Sequence, residues 1–207
     1  MIDKEEMVNN QLLKRGIKDP RVLSAMRNVP REKFVPEDLC DCAYLDGPLP
    51  IGEEQTISQP YIVALMTELL ELKGAEKVLE VGTGSGYQTA VLAEIAEKVY
   101  SLEVIESLAA KAGETLKKLG YENFEIKVSS GYKGWEAAAP FDAIIITCAP
   151  EEVPRVLLKQ LKEGGRMVVP VGGRIFGQKL LLLKKEKDEI IEQDCGGVMF
   201  VPMVDDA

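Results

Sequence analysis

The stretch Lys77–Tyr87, KVLEVGTGSGY, decides the fold of this chain. An apolar run, VLEV, occupies residues 78–81, and glycines follow at positions 82, 84 and 86. The next residues, TAVLAEIA, have apolar side chains at helical spacing, so the pattern predicts a buried strand, a tight turn and a helix. Because glycine has no Cβ, a ligand can lie against bare main chain at such a turn, where the helix also presents free N–H groups.

The spacing of the glycines indicates the kind of ligand. A dinucleotide turn has the pattern G-x-G-x-x-G, whereas Gly82–Gly86 reads GTGSG, with Glu80 two residues before it. A second apolar run, VYSLE, ends at Glu103, roughly 20 residues past the loop, where an acidic side chain can accept hydrogen bonds from ribose hydroxyls. We therefore predict a site for a nucleoside-containing cofactor. A glycine turn without a ligand is the alternative.

Composition excludes several classes of protein. The chain has 207 residues, 46% of them hydrophobic, which predicts one domain with a single core. Its net charge of −9 argues against a nucleic-acid partner, because nucleic-acid-binding domains usually carry a basic face. No apolar run approaches the roughly 18 residues that indicate a membrane span, and the N-terminus lacks the apolar segment of a signal peptide. We expect a cytoplasmic monomer with no membrane partner.

The chain contains four cysteines and no histidine. Without histidine, Ser-His-Asp and Cys-His catalysis are excluded. Cys40 and Cys42 are too few for a zinc site, and we expect no metal. We interpret these two cysteines, Cys148 and Cys195 as free thiols of a protein from a reducing compartment.

The remaining pattern predicts a doubly wound, Rossmann-like α/β sheet, because strands alternate with helices along the chain. Residues 1–72 are expected to supply N-terminal helices, at 3–15 and 20–28, and a long segment at 38–58 that covers a site. Residues 73–207 are expected to form the cofactor-binding core. Mostly parallel strands are predicted at 77–81, 99–103, 124–128, 141–147 and 166–171, and an antiparallel pair at the C-terminal edge at 179–184 and 198–203.

Five longer stretches together resemble one enzyme family. They are DGPLPIGEEQTISQP at 46–60, EVGTGSGYQTAVLAE at 80–94, FDAIIITCAP at 141–150, LKEGGRMVVPVG at 161–172 and GGVMFVP at 196–202. The combination is similar to the protein-L-isoaspartate O-methyltransferases, within the class I S-adenosylmethionine-dependent methyltransferases. The resemblance implies a seven-stranded sheet with an N-terminal helical extension. It also implies protein repair, in which a methyl group passes from S-adenosyl-L-methionine to the α-carboxylate of L-isoaspartyl residues in damaged proteins and peptides.

The resemblance also implies roles for individual residues. Ser58 matches the catalytic serine, whose hydroxyl can donate a hydrogen bond to the substrate carboxylate; capping of the helix that follows is the alternative. The expected cofactor contacts are Gln55, Thr56, Ile57, Ser58, Glu80, Gly82, Thr83, Gly84, Ser85, Gly86, Glu103, Ser130 and Gly131. The expected substrate contacts are Ser58, Ala149, Pro150, Val171, Gly172, Val201 and Pro202.

Two positions depart from the family pattern. Ser129-Ser130-Gly131 stands where the family usually has Gly-Asp-Gly, with the aspartate by the adenine end of the cofactor. On this basis Ser130→Asp is predicted to tighten cofactor binding. Glu53-Glu54 precedes Gln55 where a glycine is usual. A side chain there restricts the loop backbone, and we expect both carboxylates to face solvent.

Three other functions remain open from the sequence. The chain could be a methyltransferase of another class, acting on a small molecule or RNA, although the charge disfavours RNA and the QTIS stretch disfavours both. It could be a binding protein that keeps the cofactor site without catalysis, which would bind S-adenosylmethionine and methylate nothing. A nicotinamide-dependent oxidoreductase is the third, and the glycine spacing argues against it.

Overall fold

A seven-stranded sheet forms the centre of the protein in a computed structural model, which describes residues 2–173 and 177–205. Short runs rich in β-branched and aliphatic side chains form its strands. A two-stranded hairpin, β1–β2, makes a second sheet. The strands are β1 (Leu49–Gly52), β2 (Gln55–Ile57), β3 (Lys77–Val81), β4 (Lys98–Glu103), β5 (Phe124–Val128), β6 (Phe141–Ile146), β7 (Leu161–Gly173), β8 (Gly177–Glu186) and β9 (Glu189–Val198).

The strand order of the large sheet is β5-β4-β3-β6-β7-β8-β9. Strands β3 to β7 pair in parallel, and β8 and β9 are added antiparallel at the C-terminal edge. The predicted doubly wound, mostly parallel sheet is thus confirmed. Because β3 has β4 on one side and β6 on the other, the order reverses at β3. Open α/β sheets bind ligands at the carboxyl ends of the strands beside such a reversal.

The α-helices of the described residues are α1 (Lys4–Glu6), α2 (Pro20–Asn28), α3 (Pro60–Leu69), α4 (Tyr87–Ala93), α5 (Glu106–Lys118) and α6 (Arg155–Gln160). The helix predicted over 3–15 begins with a capping box, in which the Asp3 carboxylate accepts the Glu6 N–H at 2.8 Å. The type of helix then changes along the chain, because Met7–Leu12 is a π-helix and Leu13–Arg15 is a 3₁₀ turn. None of the helices in the described part of the chain has the length and apolar character that a membrane crossing requires.

The prediction for the last strand was wrong. We expected it at 198–203, but it is β9, which pairs with β8. Lys187 and Asp188 have φ of +54° and +63°, so the chain turns sharply after β8, as a two-residue hairpin requires. Of the residues predicted to form the strand, Val198 ends β9, and residues 199–203 contain a single bridge, between Pro202 and Ala149.

The segment 38–58, which we predict to cover a site, contains regular structure. It starts within a 3₁₀ helix, Glu37–Cys42, and then forms the β1–β2 hairpin. Ile51 and Ile57 of the hairpin are only 6% and 3% exposed, so one face of it is buried. Apolar and polar side chains alternate in this stretch, so the apolar ones pack on the protein and fix which face of the hairpin is buried.

Both faces of the large sheet are covered at its centre. Along β6, Ala143 and Ile145 face the N-terminal helices, and Ile144 and Ile146 face a second apolar cluster that includes Trp135. All four β6 residues are at most 1% exposed. A near-continuous apolar sequence is typical of a parallel strand covered on both sides, and the strand that ends nearest the cleft is therefore rigidly held.

Candidate active site

A cleft opens at the carboxyl ends of the parallel strands. Its position follows from the reversal of strand order at β3, where neighbouring connections diverge. The glycine turn after β3 and the turn after β4 form its floor, and the β1–β2 hairpin lies over the glycine turn. The wall includes segments 55–58, 81–85, 102–105, 147–148 and 201–204.

The glycine turn is fixed by hydrogen bonds and admits no side chain at its first position. The Gly82 and Thr83 N–H groups donate to the Leu102 carbonyl at 2.8 and 3.2 Å. Gly82 has φ of +98°, and a Cβ built there would lie 2.4 Å from Thr147 Oγ1. Such a contact is far inside normal packing distance, so the cleft floor at this point is bare main chain.

Glu103 holds the glycine turn from the end of the neighbouring strand β4. One carboxylate oxygen accepts the Gly84 N–H at 2.8 Å, and the other accepts the N–H groups of Val104 and Ile105 at 2.9 and 3.0 Å. The side chain is 6% exposed and lines the cleft. Charge-assisted hydrogen bonds of this kind are roughly twice as strong as neutral ones. Glu103 therefore fixes both turns and remains placed to accept hydrogen bonds from a ligand.

Glu80 lies behind the glycine turn, fully buried, rather than on the cleft wall. Its carboxylate accepts hydrogen bonds from Thr89 at 2.5 Å and Ser101 at 2.6 Å. Ser101 also shares a 2.6 Å hydrogen bond with Thr83, which does line the cleft. Glu80 does not face the ligand site itself. A chain of hydrogen bonds through Ser101 and Thr83 connects it to the cleft.

The stability of the protein is expected to depend on the protonation of Glu80. Burial raises the pKa of Glu80 from 4.5 to about 8, and the hydrogen bonds from Ser101 and Thr89 oppose that rise only in part. Between these two values the folded state holds a proton that the unfolded state has released, so stability falls as pH rises through this window. Urea unfolding at pH 5 and pH 8.5 should show that Glu80→Gln loses less stability over this range than the parent chain. Equal losses of stability in Glu80→Gln and the parent chain between these two pH values would contradict the prediction.

Ser58 lies on the cleft wall in an extended segment between β2 and α3. The N-cap position of α3 is Gln59, and no side chain caps that helix end. The alternative role of Ser58 as a helix cap is therefore wrong. The hairpin that leads into this segment packs over the glycine turn, since a Cβ built on Gly84 would lie 3.6 Å from Ile51 Cδ1.

The turn of the hairpin carries two acidic residues in an unfavourable backbone conformation. Glu53 and Glu54 have φ of +52° and +57°, the left-handed region that favours asparagine and glycine. Both are exposed, as expected, and Ser107 Oγ donates to Glu53 Oε1 at 2.9 Å. The hairpin is thereby tied to the first turn of α5.

Glu54→Gly is expected to stabilise the protein by about 0.5–1 kcal/mol. Each non-glycine residue in this conformation costs about 1–2 kcal/mol, from which the entropy of a more flexible unfolded chain must be subtracted. Urea unfolding measures the change. Glu54→Ala removes the same carboxylate but keeps a Cβ, so it should gain little. Equal gains for the two variants would mean that charge, not backbone strain, is responsible.

Cys148 is a neutral thiol in the cleft. Burial, and to a smaller extent the charge of Glu103, raise the pKa of this thiol from 9.0 to about 12. No group of three metal-binding side chains occurs within residues 2–173 and 177–205. The four cysteines are all unpaired, as predicted.

The cleft can now be compared with known proteins. The family model for protein-L-isoaspartate(D-aspartate) O-methyltransferase matches residues 2–207. The chain belongs to this family. Protein-L-isoaspartate O-methyltransferase 2 of Shewanella sediminis is 57% identical over 200 residues, which cover 97% of this chain and 82% of the relative.

Two solved structures of this isoaspartyl methyltransferase family share the fold. One protein-L-isoaspartate O-methyltransferase is 31% identical with a TM-score of 0.87, over 97% of this chain and 65% of that one, so this chain spans just under two thirds of its length. A putative protein-L-isoaspartate O-methyltransferase from Plasmodium falciparum, crystallised with S-adenosyl-L-homocysteine, is 28% identical with a TM-score of 0.85 over 99% of both chains.

Most of the cofactor residues predicted from the family pattern line the cleft, and three do not. Glu80 lies behind the glycine turn. Gly86 faces α5, where a Cβ would lie 3.1 Å from that of Ala112. Ser130 is fully buried and its hydroxyl faces Asp205. Those on the wall are Gln55, Thr56, Ile57, Ser58, Gly82, Thr83, Gly84, Ser85, Glu103 and Gly131.

Some of the residues predicted to contact the substrate line the cleft, and the others lie beside it. Ser58, Val201 and Pro202 line the cleft. Ala149, Pro150, Val171 and Gly172 lie next to it: Ala149 N–H donates to the Val201 carbonyl at 2.8 Å, and Gly172 N–H to that of Pro150 at 3.1 Å.

Several cleft residues of this family member were not predicted. Ile105, Cys148 and Val204 are examples. Ile105 follows Glu103 by two residues and Cys148 follows β6, so their positions after strand ends could have indicated them. Val204 had no such signal because the strand was placed too late in the sequence.

Proposed function

We propose that this chain transfers a methyl group from S-adenosyl-L-methionine to the α-carboxylate of L-isoaspartyl residues in damaged proteins and peptides. The observation that carries the proposal is the single cleft in which the bare glycine turn and Ser58 face one space. Its membership of the isoaspartyl methyltransferase family over residues 2–207 supports the same activity.

The cleft fits this cofactor on its own geometry. Gly82 lines the cleft, and only glycine fits there because a Cβ would lie 2.4 Å from Thr147 Oγ1, so its main chain is available to the amino-acid part of the ligand. Glu103 lines the cleft beside the glycine turn, where its carboxylate would accept hydrogen bonds from ribose hydroxyls. When bound, S-adenosyl-L-methionine supplies an activated methyl group on a sulfonium centre.

The chemistry needs no general base from the chain. A carboxylate with an ordinary pKa of about 4 is already ionised at neutral pH. The absence of histidine is therefore harmless. What the protein has to do is hold the acceptor oxygen in line with the methyl group, which is a matter of position and orientation.

We assign this orienting role to Ser58. Its hydroxyl would donate a hydrogen bond to one carboxylate oxygen and direct the other toward the donor. The segment 201–204 and the strand ends beside it offer backbone groups and apolar surface for the peptide. We further propose that residues 1–72 and 73–207 act as one domain, with the first part covering the second.

Ser58→Ala is expected to lower kcat/KM for an isoaspartyl peptide by about 10- to 100-fold, because a hydrogen bond to a charged group contributes about 1.5–3 kcal/mol. Binding of S-adenosylhomocysteine, measured by calorimetry, should be almost unchanged. Ser24→Ala, an exposed serine of α2, is the matched control and should behave as the parent chain. Equal activity of Ser58→Ala and Ser24→Ala would remove Ser58 from the mechanism.

We also propose that the protein works in the cytoplasm, as a monomer and without nucleic acid. The charge of −9 supports the last point, because a phosphate backbone would be repelled. Sedimentation of the purified protein and a binding assay with RNA test these two proposals directly.

A further inference from the structure

Residues 201–204 form one wall of the cleft, and the segment 201–205 is attached at two places. At its start, the Ala149 N–H donates to the Val201 carbonyl and the Met203 N–H donates to the Ala149 carbonyl, both at 2.8 Å. These two bonds fix the segment to the end of β6. Neither hydrogen bond involves the last residues of the segment, Val204 and Asp205, so a second contact has to position these two residues.

The second attachment is the turn that follows β5. Ser130 is fully buried, and its hydroxyl donates a hydrogen bond to the Asp205 carboxylate. The Tyr132 hydroxyl donates to the Met203 carbonyl at 3.4 Å. Gly131 leaves room for the segment, since a Cβ there would lie 2.7 Å from Met203 Cε.

This attachment joins two walls of the same site. The residues on either side of Ser130, Ser129 and Gly131, line the cleft, and so does Val204 beside Asp205. A hydrogen bond between a hydroxyl and a carboxylate is stronger than a neutral one. Its donor, Ser130, is buried, and its acceptor, Asp205, lies at the surface.

We propose that Asp205 is a positioning residue for the cofactor: by accepting the hydrogen bond of Ser130, it holds the segment 201–204 against the cleft and so sets the affinity for S-adenosyl-L-methionine. The inference rests on the proposed function only in taking the cleft as the cofactor site. It also reverses the expectation for Ser130→Asp. A carboxylate at position 130 would face the carboxylate of Asp205, and the repulsion would push the segment away.

Calorimetry with S-adenosylhomocysteine tests the proposal without requiring turnover. Asp205→Ala should weaken binding about tenfold and Ser130→Ala at least as much, because Ser130 also accepts the Tyr132 N–H at 3.3 Å. The double variant should be no weaker than Ser130→Ala, because the contact between the two side chains is already lost there. Ser130→Asp should also weaken binding, and the exchange Ser130→Asp with Asp205→Ser should restore it. Glu192→Ala, which removes an exposed carboxylate from β9, is the control and should bind normally.

Two further measurements separate positioning from general stability. Asp205→Ala should raise KM for S-adenosyl-L-methionine and leave kcat at saturation unchanged, and the urea midpoint of the ligand-free protein should not move. Normal affinity of Asp205→Ala, or additive losses in the double variant, would overturn the inference. A parent chain that binds S-adenosylhomocysteine but methylates no isoaspartyl peptide would overturn the proposed function and leave this inference intact.

Discussion

Replacing Glu103 by alanine is expected to weaken the binding of S-adenosylhomocysteine about 100-fold, or roughly 2.8 kcal/mol. The carboxylate accepts three backbone N–H groups, those of Gly84, Val104 and Ile105. Its removal leaves these donors without their partner, loosens both turns of the cleft floor and deletes the acceptor that we assign to the ribose. Unsatisfied donors cost about 1–3 kcal/mol each where water cannot replace the partner.

The comparison with two further variants makes this result specific. Glu103→Gln keeps the shape but turns one acceptor into a donor that faces a backbone N–H, so its loss should approach that of alanine. Glu106→Ala removes an exposed carboxylate three residues away and should bind as the parent chain. Calorimetry gives the three dissociation constants. An affinity of Glu103→Ala within threefold of that of Glu106→Ala would show that Glu103 does not hold the site.

Gly82→Ala is expected to abolish measurable cofactor binding and to destabilise the fold by roughly 2–5 kcal/mol. The φ of +98° strains any residue with a Cβ, and the new methyl group would lie 2.4 Å from Thr147 Oγ1. Backbone strain contributes about 1–2 kcal/mol and overpacking about 1–3 kcal/mol. Thr147 cannot easily move away, because its hydroxyl hydrogen-bonds to the Val81 and Gly82 carbonyls at 3.0 and 2.6 Å.

Gly16→Ala is the matched control for this prediction. Gly16 has nearly the same φ, +96°, but a Cβ there would meet no atom within 4 Å. The variant therefore isolates the backbone term, about 1–2 kcal/mol, and should keep full affinity for S-adenosylhomocysteine. Urea unfolding and calorimetry on both variants are the measurements. Equal destabilisation by the two substitutions would show that the cleft floor has room for a methyl group.

The sequence was sufficient to predict the parallel part of the sheet, because buried parallel strands have a strong local signature. In β6 the run FDAIII is apolar on both faces, and the glycines after β3 admit only a tight turn. Glu103 could be predicted as a cofactor residue from a local pattern too, because it is the last residue of β4, beside the glycine turn. Elements of this kind depend mainly on residues close to them in the chain.

The remaining parts of the site depend on contacts between distant residues. Ser130 faces Asp205, 75 residues later in the chain, and no local pattern links the two. The strand predicted at 198–203 is apolar enough for a strand, but its single bridge, at Pro202, pairs with Ala149. The place of Glu80 in the sequence, two residues before Gly82, predicts an acid that binds the ligand. In the structure, hydrogen bonds donated by Thr89 and Ser101 hold its side chain behind the glycine turn.

The central claim is that this chain methylates isoaspartyl carboxylates. The most direct test is incubation of the purified protein with methyl-labelled S-adenosyl-L-methionine and two peptides that differ only in carrying L-isoaspartate or normal aspartate at one position. We expect base-labile label on the isoaspartyl peptide alone. Label on neither peptide, with S-adenosylhomocysteine still bound, would contradict the account and indicate a binding protein without catalysis.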